Sequence, residues 1–292
     1  MTDEAIPAIP AEEPVPAAPA EEPSRINRAF AGVGVAVGLI LWMILFTLPG
    51  YAVSGVISRS HPRLGAFFGF LGLLLVIPGI LWRAKGVWTS DWRKALPLAR
   101  VGPALLVWSL LCLAFFLSTE FAWLALIDRT LGLSKMDDPL PAIGVLGVLL
   151  GAPLGEEVLF RGYGLARIRE LGGDRRALLL PAIAFALAHF YPVKLPGTFL
   201  MGLFLGWIVL RTGSLWPALL LHVVNNGVAA LGVLFMGSQA TESTASWTQI
   251  TLLAVIGLAG LAILWSPQVR GRIKELAPRP GGGNPETMES QA

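Results

Sequence analysis

Two glutamates and an arginine, Glu156, Glu157 and Arg161, stand within six residues in the run Gly155-Glu-Glu-Val-Leu-Phe-Arg-Gly162, inside a stretch otherwise apolar enough to cross a membrane. A charge in hydrocarbon costs about 3 kcal/mol or more, and such residues mark functional sites by default. Two of the three histidines, His189 and His222, also stand in apolar segments. Each belongs to a pair four residues apart: Phe185 with His189, and His222 with Asn226, just as Glu157 stands four before Arg161. Residues four apart share a helix face, so each pair can point from its own helix toward a common interior.

The residue types suggest a division of labour. Glu157 and Arg161 pair along their helix, which neutralises both in a dry setting. Glu156, about 100° round the helix, has no partner in the sequence. A carboxylate withdrawn from bulk water can act as a general base, with His189 orienting a water against it. His222 and Asn226 can donate hydrogen bonds to an oxyanion. The four together suit hydrolysis of an amide: one pair activates water and the other stabilises the tetrahedral intermediate. Pro153 and Gly155, just before Glu156, favour a local irregularity that admits water. Glu156, His189 and His222 also match the donor types of a Zn²⁺ site completed by water. The His-Glu-x-x-His motif of zinc proteases is absent. Asn226 serves more naturally as an oxyanion donor than as a zinc ligand, so the reading without a cofactor is favoured and Zn²⁺ stands as the alternative.

The elements that must position these groups follow from composition. Of 292 residues 54% are hydrophobic and 14% charged, against about 25% charged in soluble domains. Mean hydropathy is +0.67. These values predict an all-α polytopic membrane protein. Residues 1–27 read as a disordered Pro/Ala/Glu-rich tail, 28–141 as N-terminal transmembrane helices, 142–266 as the transmembrane core, and 267–292 as a flexible tail. Eight apolar segments lie between the tails, at 30–53, 64–81, 103–127, 142–165, 177–190, 196–210, 215–235 and 248–265. The first is too long for a secretory signal and reads as a retained span. With an inside N-terminus, 16 of the 22 Lys and Arg fall on inside segments and five on outside loops, with Arg161 inside the fourth segment, which favours eight spans with both termini cytoplasmic. Trp82, Trp216, Trp247 and Trp265 fall at span ends, as an aromatic belt requires. Counted from these span starts at about 1.5 Å per residue, the four polar residues occupy one layer in the cytoplasmic half of the membrane. The basic excess in loops suits anionic lipid headgroups. No segment interleaves basic and aromatic residues on a soluble fold, which excludes nucleic acid as a partner. Cys112, the single cysteine, reads as a buried thiol.

Three motifs in order, Glu156-Glu157-x-x-x-Arg161, Phe185-x-x-x-His189 and His222-x-x-x-Asn226, resemble those of the CAAX-protease and bacteriocin-processing family, also called the Abi family. The resemblance covers about residues 142–235. It implies an intramembrane endopeptidase, related to CAAX prenyl endopeptidases, with Glu156, His189, His222 and Asn226 catalytic and Glu157, Arg161 and Phe185 supporting. Relatives have been labelled metalloproteases, and a metal-free glutamate mechanism has also been argued. The implied reaction is cleavage of a membrane-bound or lipid-modified protein near the cytoplasmic face. The implied location is a bacterial inner (plasma) membrane.

Plainer readings compete. A lone Glu–Arg pair in a span can be helix glue, a lone histidine a satisfied core residue, and Phe185 packing. Glu120 reads as structural near the outer interface, His61 and Asp137-Asp138 as solvated, and Arg167, Arg169, Arg175 and Arg176 as orientation charges. The main alternative function is a non-catalytic immunity or scaffold protein of the same fold. A proton-coupled transporter lacks the inverted repeat such proteins show. Coincidence of spacing, depth and order favours the protease.

Overall fold

A computed structural model describes residues 25–84, 101–131, 149, 151–190, 192–236, 245–269 and 271. Most of both polar tails, the loop at 85–100, the Asp137-Asp138 pair and the start of the fourth apolar segment lie outside these residues. Among the described residues every element is a helix. The α-helices are α1 (Arg25–Ser58), α2 (Pro62–Leu71), α3 (Val76–Ala84), α4 (Pro103–Leu131), α5 (Leu165–Leu187), α6 (Leu195–Thr212), α7 (Trp216–Met236) and α8 (Trp247–Leu264). A 3₁₀ turn (Gly72–Leu75) joins α2 to α3, and a π-helix (Glu157–Gly164) runs directly into α5.

The pattern of exposure is that of a membrane protein. Val33, Val37, Leu41 and Leu45 form an exposed apolar ridge along α1, and Leu252, Val255, Ile256 and Ile263 do the same on α8. Helices satisfy their own backbone groups, so such faces can lie against acyl chains. Four helical stretches are long and apolar enough to cross a membrane unaided: Phe30–Ser58, Pro103–Leu131, Pro192–Thr212 and Trp247–Leu264. Trp216 and Trp247 begin their helices with exposed rings, the placement that suits a headgroup layer.

The interior holds the charges. Arg161, Phe160, Phe185, Leu205, Ile208 and Glu157 are among the largest side chains that are fully buried. The chain from 165 to 187 was expected to break into two spans with a loop at 166–176. It does break there, at Gly173, whose non-helical φ of 75° separates two helical limbs, so the turn is much shorter than the expected loop. That left-handed conformation suits a residue without a Cβ. The second limb of α5 returns beside the π-helix, and Phe185 meets Phe160 edge to face with ring centroids 5.4 Å apart.

Three backbones meet just above the carboxylates. A Cβ on Gly50 of α1 would collide with Gly72 of the 3₁₀ turn, and one on Gly155 would collide with the carbonyl oxygen of the neighbouring Leu73. Helices in lipid associate by this kind of close approach. The Gly155 contact fixes where the π-helix begins, one residue after Glu156. Overpacking a tight contact costs about 1–3 kcal/mol. Gly155→Val should therefore lower the thermal unfolding midpoint in detergent, whereas the same change at Gly34, which faces open space, should leave it near wild type. Equal midpoints for the two variants would refute the contact.

Candidate active site

The π-helix sets the site's geometry. Its last turn carries a bond across five residues, from the Leu165 N–H to the Phe160 carbonyl. Such segments are rare and concentrate at functional sites. An irregularity was expected from Pro153 and Gly155; it takes the form of a wide turn spanning Glu157 to Gly164.

Glu157 is the anchor of the cluster. Its Oε1 accepts a hydrogen bond from Arg161 at 2.8 Å and a second from Nδ1 of His222 on α7, also at 2.8 Å. The Glu157–Arg161 pair is the one the spacing predicts. The bond to His222 was not foreseen, because spacing reports only neighbours on the same helix. An ionised carboxylate only accepts, so the proton lies on Nδ1 of His222 and the Nε2 edge faces the other way. That edge looks toward Oε2 of Glu156 at 3.7 Å, with the Glu156 side chain only 6% exposed.

Phe185 is a hub rather than simple packing. Arg161 lies over its ring with Cζ 4.1 Å from the centroid, a cation–π contact that helps hold a guanidinium away from water. The imidazoles of His189 and His222 stand edge-on to the same ring, with centroids 4.7 Å and 5.8 Å away. The Phe185 carbonyl accepts from Nδ1 of His189 at 2.7 Å. A carbonyl cannot donate, so Nδ1 carries the proton and Nε2 of a neutral His189 can accept one. On α7, the amide nitrogen of Asn225 lies 3.4 Å from Oδ1 of Asn226. This turns the Asn226 oxygen toward its neighbour and gives its NH₂ group the opposite direction.

The structure thus brings Glu156, Glu157, Arg161, Phe185 and His222 into one buried cluster. His189 adjoins it across Phe185, and Asn226 follows one helical turn after His222. Oε2 of Glu156, Oε2 of Glu157, one guanidinium nitrogen of Arg161 and Oδ1 of Asn225 are buried without a hydrogen-bond partner among the described residues. Each such atom costs about 1–3 kcal/mol when it stays unpaired, so a group of them marks a place for water or substrate. Among the described residues no group of three or more His, Cys, Asp or Glu side chains is placed to hold a metal ion.

Tyr51 of α1 lies within electrostatic reach of Glu156, and Trp123 of α4 bonds the Val193 carbonyl just past His189. Tyr51 and Trp123 are seven and six residues beyond the centres of Phe30–Ser58 and Pro103–Leu131, or about 10 Å along each helix. The site therefore lies beyond the middle of these helices, away from the end where Gly32 meets Ile168 and Leu180 near the arginine-rich turn. α1 and α4 are longer than a membrane requires.

Residues 138–228 match the family model described as Type II CAAX prenyl endopeptidase Rce1-like. Over this segment the chain resembles the CAAX proteases, as the three motifs predicted, and all seven expected site residues fall within it. No curated protein and no solved structure matches the chain.

Removing one member of a buried ion pair costs about 3–5 kcal/mol, because the other charge is stranded. Arg161→Met should lower stability by that amount, and Glu157→Gln combined with Arg161→Met should recover part of it. Unfolding midpoints in detergent measure both. An Arg161→Met protein as stable as wild type would contradict the arrangement.

Proposed function

We propose that this chain is an intramembrane endopeptidase that hydrolyses a peptide bond of a membrane-bound or lipid-modified protein, and that it resides in a bacterial plasma membrane. The observation that carries the reading is the Glu156 carboxylate. It is buried with its Oε2 3.7 Å from Nε2 of His222, and that oxygen accepts no hydrogen bond from the described residues. The family match over 138–228 supports the reaction class.

In the proposed reaction Glu156 takes a proton from a water whose other proton is held by Nε2 of His189. The water oxygen attacks the scissile carbonyl carbon, and the carbonyl π electrons move onto its oxygen. The Nε2 edge of a protonated His222 and the NH₂ group of Asn226 donate to that oxyanion. Collapse restores the carbonyl and breaks the C–N bond, and the departing amine takes the proton from Glu156. Glu157, Arg161 and Phe185 touch no reacting atom; they hold His222 and His189 in place. Two carboxylates and one guanidinium leave one negative charge, which a protonated His222 balances.

Glu156→Gln should reduce kcat by at least about 100-fold on a prenylated peptide in proteoliposomes, with the fold intact by circular dichroism. Wild-type cleavage by that variant would end the catalytic reading and leave the immunity or scaffold alternative. We also propose that the reaction needs no metal. Activity should survive dialysis against a strong chelator; its loss, with recovery on adding Zn²⁺, would reverse that view.

A further inference from the structure

We propose that Trp123 of α4 and the left-handed residue Phe190 form a clamp that holds the His189 ring in one tautomer. Both are positioning residues, and the proposal rests on His189 belonging to the site described above.

The constraint begins at the end of α5. The last regular helical bond runs from the Ala188 N–H to the Ala184 carbonyl, at 2.9 Å. The next two donors tighten to the third residue back: His189 N–H to Ala186 and Phe190 N–H to Leu187, each 3.1 Å. In a continued α-helix the His189 N–H would take the Phe185 carbonyl. The tightening diverts it, and the His189 ring takes that carbonyl instead. Ring and backbone of one residue thus compete for one acceptor, and the shape of the helix end decides which wins.

Phe190 sustains that shape at a cost. Its φ is +51°, the only positive value at a non-glycine among the described residues. Helix ends commonly use glycine or asparagine here, and a bulky side chain in this region is strained. The Phe190 side chain is 68% exposed, so packing of its own ring does not hold it. The constraint comes from α4. Nε1 of Trp123 donates to the Val193 carbonyl at 3.0 Å, three residues beyond Phe190. One turn earlier, the Glu120 carboxylate rests against Gly197 and lies within electrostatic reach of Lys194. With the segment pinned at 193 and 197, Phe190 stays left-handed. Released, Phe190 relaxes, the His189 N–H returns to the Phe185 carbonyl, and the ring loses the bond that places its proton on Nδ1. Strain of this kind persists only where the surroundings over-determine it.

The test uses full-length protein in detergent with ¹⁵N-labelled histidine rings; the chain has three histidines, and His189→Gln identifies the signal. Wild type should show a single Nδ1–H tautomer at His189. Trp123→Phe, which keeps an aromatic ring and removes the N–H donor, should give a mixture, with kcat reduced about tenfold and KM within about twofold. Adding Phe190→Gly should restore the single tautomer and most of kcat, because glycine tolerates the left-handed backbone unaided. Phe190→Gly alone should keep the tautomer and raise the unfolding midpoint by about 2 °C. The clamp is refuted if Trp123→Phe retains the wild-type ring signals, if Phe190→Gly does not rescue it, or if Phe190→Gly alone lowers the midpoint. The ring signals do not depend on turnover. A protein that shows the tautomer shift yet cleaves nothing would keep the clamp and lose the protease.

Discussion

A single oxygen, Oε1 of Glu157, accepts from both Arg161 and His222. The rest of the site depends on this double acceptance. It joins the π-helix to α7, fixes which face His222 presents, and allows a guanidinium to sit in a fully buried position. Phe185 completes the arrangement from α5, giving its ring face to Arg161 and its backbone carbonyl to His189. Glu156 stands next to this network without being consumed by it. That is the property a general base requires: held in place by its neighbours, and still able to take a proton.

A second constraint is the approach of backbone to backbone around Gly50, Gly72 and Gly155. In lipid, apolar side chains gain little by meeting one another, so close packing sets where helices sit. Here it sets the level of the carboxylates against α1. The apolar stretches of α1 and α4 extend past the cluster on both sides.

Much of this was legible in the sequence. The all-α membrane class followed from composition, and the Glu157–Arg161 pair from spacing four along a helix. The gathering of Glu156 and His222 followed from polar residues recurring at matched positions in apolar segments. What stayed hidden involved contacts between helices or backbone atoms. The Glu157–His222 bond joins residues 65 apart, which periodicity does not report. Phe185 read as packing because its ring type says nothing of its carbonyl. Phe190 carried no signal, since nothing in a phenylalanine announces a left-handed backbone. The turn expected within 166–176 is present at Gly173, but its tightness was hidden, since the polar run around it reads as a longer loop.

The segment around the π-helix has a consequence for how the protein is made. The stretch carrying two acids and a guanidinium is not among the spans found within the described residues. During synthesis it leaves the ribosome after α1 and α4 and before α6. It emerges with α1 and the Leu73 turn, two of the surfaces it packs against, already made. The frame for the buried charges is thus synthesised before the charges themselves, and a chain lacking it would present two acids and a guanidinium to lipid.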